Sequence, residues 1–73
     1  MEYGILSLKI NDLLKQKNIS KNVLCSKMDI PHHSLNRYCR NEFKRIDTVL
    51  VCKLCFYFNI SISDLIEYLP PER

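Results

Sequence analysis

Residues 20–45 read SKNVLCSKMDIPHHSLNRYCRNEFKR, and the reading of this stretch decides the fold. It predicts two short helices, Ser20–Met28 and Pro31–Arg40, joined by a tight turn. Ser20 suits an N-cap, because its hydroxyl can accept from an orphan amide of the first turn. Leu24 and Met28 lie four apart and share one helix face. Asp29 stands where the chain needs a left-handed residue, a conformation Asp tolerates better than most non-glycine residues. Ile30 plugs the corner. Pro31 fits the first turn of a new helix, where its missing N–H costs nothing. Along that second helix Leu35, Tyr38 and Cys39 fall on an inner stripe. His32, His33, Asn36, Arg37 and Arg40 are left outside.

The outer set is cationic or amide-bearing, and Lys44 and Arg45 follow just beyond it. Arginine reads guanine and asparagine reads adenine by paired hydrogen bonds to base edges, while lysine and arginine nearby neutralise phosphates. The pattern therefore predicts a helix-turn-helix over residues 20–40 whose second helix, about residues 31–40, enters the major groove of DNA. His32, His33, Asn36 and Arg37 are the expected base contacts. Ser20, Lys21, Ser34, Arg40, Lys44 and Arg45 are the expected phosphate contacts. A merely solvated face would use the same residue types. Histidine changes charge near neutral pH, so two of them on the reading helix predict tighter binding at mildly acidic pH.

With these residues in place, the chain resembles the Cro/XRE-type, phage-repressor-like family of helix-turn-helix transcriptional regulators. The resemblance rests on Leu24, Cys25, Met28, Ile30, Leu35 and Tyr38 at the apolar and small positions of the motif. The later run NEFKRIDTVLVCKLCFYFNISISDLIEY is similar to the family's fourth and fifth helices, and the likeness extends over roughly residues 8–69. There are two departures. Asp29 replaces the usual glycine, and Pro31 replaces the usual Ser or Thr cap of the reading helix, which puts that helix's approach angle in question. The resemblance implies an all-α fold, a compact five-helix lambda-repressor-like domain with a central helix-turn-helix. It further implies a small single-domain regulator of double-stranded DNA, expected to act as a repressor; since one such domain buries little surface, tight binding favours a homodimer.

Seventy-three residues allow one domain spanning 1–73. A hydrophobic content of 47% with 26% charged residues describes a globule with a modest core, not a disordered tail. No apolar run approaches the ~20 residues needed to span a bilayer. The beginning MEYGILSL lacks a basic segment and a small-residue cleavage site, so a cytoplasmic protein is expected. The net charge of +3 is unevenly spread: residues 1–45 carry +5 and residues 46–73 carry −2. Basic charge gathered around the reading helix suits a polyanion partner.

Elsewhere, Leu6, Ile10, Leu13, Leu14 and Lys17 recur at helical spacing within residues 3–18, although Ile5–Ile10 also alternates as a strand would. Asn18 and Asn59 are expected left-handed stops. Phe43 is the one aromatic of the polar loop 41–45. Asp47 caps a fourth helix, Thr48–Phe58, with Leu50, Leu54 and Phe58 on one stripe extended by Val51 and Cys55. Ser61 with Asp64 resembles a capping box for a final helix carrying Ile62, Leu65, Ile66 and Leu69, stopped by Pro70 and Pro71.

Cys52-x-x-Cys55 has half the spacing of a zinc knuckle, but it falls in mid-helix, where such sites are unusual. The four cysteines, Cys25, Cys39, Cys52 and Cys55, are expected as reduced core residues, with no metal and no cofactor. Asp12, Asp47 and Asp64 do not pair, and a single glycine excludes a phosphate-cradling loop, so no catalytic residue or small-molecule ligand is expected. The dimer face is expected at the acidic end, with Tyr57 or Tyr68 supplying apolar surface. The rival reading is a protein-binding module on the same scaffold, antitoxin-like or an anti-repressor partner, without DNA binding of its own.

Overall fold

The structure is a computed structural model that describes residues 3–72. Met1, Glu2 and Arg73, the last two of which enter the charge balance, lie outside the described residues. The order of elements is β1 (Ile5–Leu8), α1 (Ile10–Lys17), α2 (Lys21–Met28), α3 (His32–Cys39), α4 (Thr48–Phe58), α5 (Ile62–Leu65) and β2 (Ile66–Leu69).

The helix ends follow from local chemistry. Ser20 Oγ accepts from the Val23 amide at 3.2 Å, which fixes the start of α2. Asn18, Asp29 and Asn59 all take the left-handed conformation, with φ of 56°, 54° and 55°. Asn41 joins them at φ 58°, so the chain turns out of four helices through a short polar side chain that can tolerate the strain. Asp47 Oδ1 accepts from the amides of Val49 and Leu50 at 2.9 and 3.4 Å. Two expectations about caps need correction. Pro31 is extended (φ −63°, ψ 137°) and precedes α3 as its N-cap, so the first helical residue is His32. Ser61 forms no side-chain cap to the backbone; its hydroxyl donates instead to Asp64 Oδ2 at 3.2 Å.

Each helix contributes one side chain with no exposed surface: Ile10, Leu24, Leu35, Leu54 and Leu65. Burying each of these is worth about 1.5–3 kcal/mol, so every helix is anchored to the common core. Leu8, Leu13, Leu14, Cys25, Ile30, Cys39, Leu50, Val51 and Phe58 complete the core, and no polar residue is buried among the described residues. Tyr38 and Phe43 pack ring to ring at 5.0 Å, drawing the loop after α3 onto the core.

The helical architecture with five helices stands as expected, but the fold is not purely helical. Residues 3–9 do not join the first helix, and residues 66–69 do not extend the last. They pair instead as a two-stranded antiparallel ribbon, with Ile5 opposite Leu69 and Leu8 opposite Ile66. The cause is an ambiguity of short apolar runs: Ile66 and Leu69 continue the helical spacing of Ile62 and Leu65, yet four residues bounded by proline are also the length of a short strand. The pairing to β1 decides it, leaving Leu69 exposed. Cys52 also departs from expectation, since it lies on the exposed side of α4, whereas Cys25 and Cys39 are buried and Cys55 is half-buried. No helix among the described residues is long and apolar enough to cross a membrane.

Candidate nucleic-acid interface

α2 and α3 meet across the left-handed turn at Asp29, where the Ile30 amide donates to the Cys25 carbonyl at 3.0 Å. Leu24 and Cys25 from α2 and Leu35 and Cys39 from α3 close the seam between the helices. With that face buried, His32, His33, Arg37 and Arg40 stand exposed on α3. Asn36 lies lower and is half-buried. Its Oδ1 accepts from Lys21 Nζ at 3.3 Å, which ties the middle of α3 to the start of α2. Lys21 occupies one of the two lone pairs of that oxygen, so a paired reading of adenine by Asn36 must share its oxygen with Lys21 or displace it.

Arg37 and Arg40 are oriented by the segment that follows the helix. Arg37 Nε donates to the Glu42 carbonyl at 3.4 Å, and the Glu42 amide returns a bond to the Arg37 carbonyl at 2.9 Å. Arg40 Nε lies 3.4 Å from Glu42 Oε1, an exposed ion pair worth little in stability but able to restrict the guanidinium. Ser34 is half-buried, while Ser20, Lys44 and Arg45 are exposed, the last two in the loop before α4. Ser20 already uses its oxygen as a cap acceptor, which leaves its hydroxyl hydrogen free to donate.

Three further residues shape this face: Lys53 and Asn41, to which the sequence assigned no role there, and Tyr38, which it placed on the inner stripe. Lys53 belongs by sequence to the acidic half, yet its Nζ donates to the Asp29 carbonyl at 3.2 Å, which returns a cation to the basic side. A groove forms there between α3, the loop and α4, lined among others by Pro31, Ser34, Arg37, Lys44, Arg45 and Lys53, with Asp29, Glu42 and Asp47 also on its walls. Tyr38 steadies its floor, the hydroxyl accepting from the Asp47 amide at 3.0 Å. Asn41 ties the end of α3 to β1: its Oδ1 accepts from the Leu8 amide at 2.9 Å and its Nδ2 donates to Ser7 Oγ at 3.3 Å. The signal for Asn41 was present, since an asparagine just past a helix is a left-handed stop. That for Lys53 was not, because no local pattern shows which turn a distant lysine will reach.

The remaining chemistry is quiet. Burial pushes the thiols of Cys25, Cys39 and Cys55 upward, with the Lys21 ammonium opposing this at Cys25 and Cys39, so these side chains stay protonated at neutral pH. Among the described residues no three His, Cys, Asp or Glu side chains converge as metal ligands would.

Comparison with known proteins agrees with this geometry. Residues 9–71 match the family model described as a Cro/C1-type HTH DNA-binding domain. A solved structure of the transcriptional regulator VanUg superposes with a TM-score of 0.78 over 97% of this chain and 93% of that one, at 21% sequence identity. At that identity the likeness shows a shared fold. No curated protein sequence gives a significant match.

Proposed function

The chain belongs to the Cro/C1-type HTH DNA-binding domain family, and from that premise we propose that it is a sequence-specific transcriptional regulator acting as a repressor in the cytoplasm. α3 enters the major groove. His32, His33 and Arg37 meet base edges, and Asn36 joins them once Lys21 has turned to a phosphate. Arg40, Lys44 and Arg45 grip the backbone on one side, with Ser20 and Lys21 at the start of α2 and Ser34 on α3 on the other. The uncapped first turn of α3 adds donors of its own, since no side chain bonds its amides. One such domain covers little DNA, so the working unit is a homodimer on a near-palindromic operator, with its two reading helices about 34 Å apart.

The observation that carries this reading is the outward row of His32, His33, Arg37 and Arg40 on a helix whose opposite face is locked into the core. A mobility-shift titration against random duplex DNA at several salt concentrations tests it. The expected result is binding that weakens steeply with salt, because each phosphate contact contributes about 0.9 to the logarithmic slope. Absence of any shift at low salt would sink the proposal and favour a protein-binding role for the scaffold. Selection of bound fragments from a random duplex library then supplies the operator.

A further inference from the structure

The groove between α3, the loop after it and α4 has a volume of about 770 Å³, within the roughly 300–1,000 Å³ typical of small-molecule sites. Its lining joins two kinds of surface. One is apolar: Tyr38 and Phe43, packed ring to ring at 5.0 Å, buried Ile30 and Leu50, and exposed Val49. The other is cationic, with Arg37 from α3, Lys44 and Arg45 from the loop and Lys53 from α4. These charges are not balanced by their neighbours. Arg37 Nε and Lys53 Nζ each donate to a backbone carbonyl, that of Glu42 and that of Asp29, and so keep their full charge. Among the described residues the ion pairs are Lys9–Glu67 and Arg40–Glu42, so none of the four cations has a carboxylate partner. Two of the acids on the walls are directed elsewhere: Glu42 faces Arg40, and Asp47 Oδ1 accepts from the amides of Val49 and Leu50. Lys53 is half-buried, and its ammonium has donors to offer beyond the one that meets Asp29.

We propose that this groove is a binding site for a small organic anion with a flat apolar body, in chemical class an aromatic carboxylate, which acts as an effector of the regulator. The two surfaces together select this class. A sugar–phosphate strand would answer the cations but bury none of Tyr38, Phe43 or Val49. A neutral apolar molecule would cover those side chains and leave the cations desolvated beside it. An aromatic carboxylate does both, its ring against Tyr38, Phe43 and Val49 and its charge on Arg37 or Lys53, where a charge-assisted hydrogen bond is stronger than a neutral one. The effect on DNA follows from shared residues and rests on the regulator reading: Arg37, Lys44 and Arg45 are expected DNA contacts, so an anion held by them competes with the duplex. Val49 and Lys53 lie outside that contact set, which allows the site to be tested apart from the interface.

Amide chemical shifts of the full chain, titrated with naphthoate in the absence of DNA, read the site. Saturable changes are expected at residues 29–31, 34, 37–38, 42–45 and 47–53, with a Kd of about 0.1–1 mM. Acetate, which has the charge alone, and naphthol, which has the ring alone, are each expected to bind at least ~10-fold more weakly. Val49→Asp puts a carboxylate at an exposed position on the wall, and Lys53→Met removes a cation; each is expected to weaken naphthoate at least ~5-fold. Should one variant fold poorly, the other decides. Shifts scattered over the surface, acetate or naphthol binding as well as naphthoate, or unchanged affinity in a folded variant overturns the proposal. Anisotropy of a labelled duplex then reads the effector role. Saturating naphthoate is expected to weaken DNA binding at least ~5-fold, and an unchanged affinity overturns that role. A chain that binds naphthoate but no duplex sinks the regulator reading and the effector role with it, and leaves the ligand site standing.

Discussion

The Leu8 amide donates to Asn41 Oδ1 across 2.9 Å, joining the first strand to the left-handed residue just beyond the C-cap of α3, 33 positions later in the chain. Asn41 is thus asked for two things at once, a left-handed backbone at φ 58° and a side chain that satisfies a half-buried amide. Asn41→Gly keeps the first and loses the second, costing about 1 kcal/mol. Asn41→Ala loses both, costing about 2–3 kcal/mol. Chemical denaturation of the three proteins checks the order; equal losses for Gly and Ala would mean that the backbone conformation is of no consequence.

Arg37 and Lys44 differ in how they are held, and their substitutions should differ in kind. Arg37 is braced by the Glu42 carbonyl, whereas Lys44 is exposed in the loop. Arg37→Ala is expected to relax preference at one base position by about 1–3 kcal/mol. Lys44→Ala is expected to weaken all sequences alike and to flatten the salt slope by about one unit. Fluorescence anisotropy on matched and mismatched duplexes separates the two behaviours.

Gly4 is the chain's single glycine and stands at φ 91°, where L side chains are strained. A Cβ there would meet the Leu69 carbonyl oxygen and come within 3.0 Å of the Tyr68 ring. Gly4→Ala should therefore open the outer end of the ribbon and leave the helices folded. The expected signature is faster amide exchange at residues 5–6 and 68–69 with unchanged helical circular dichroism. Loss of helical signal would show that the ribbon supports the whole domain.

Thiol chemistry should follow burial. Desolvation raises the thiols of Cys25 and Cys39 above their ordinary range, so their thiolates form only as the pH climbs past it. In the unfolded chain the thiols ionise earlier, and the native state is accordingly expected to lose stability as the pH rises above the ordinary thiol range. Alkylation at neutral pH followed by mass spectrometry should label exposed Cys52 first, with Cys25 and Cys39 reacting only on unfolding. Early labelling of Cys25 would contradict the packed seam between α2 and α3.

Residues 20–40 could be read without coordinates because each of their decisions is local. A serine cap, an aspartate able to turn left-handed and an i, i+3, i+4 stripe all act within a few residues of one another, so the sequence of that stretch alone determined the two helices and the outward row of His32, His33, Arg37 and Arg40. Its polar outer face also pointed to DNA, because charge and amide groups are properties of residue types. The ribbon, the tether from Asn41 to β1, the bond from Lys21 to Asn36 and the return of Lys53 to the basic face were decided by tertiary structure. Each joins groups separated by 15 to more than 60 positions, and at that range no periodicity records which partner a strand edge or a long side chain will meet. Residues 66–69 show the reason most plainly: the same four side chains satisfy a helix or a strand, and only the presence of β1 alongside makes one of them lower in free energy.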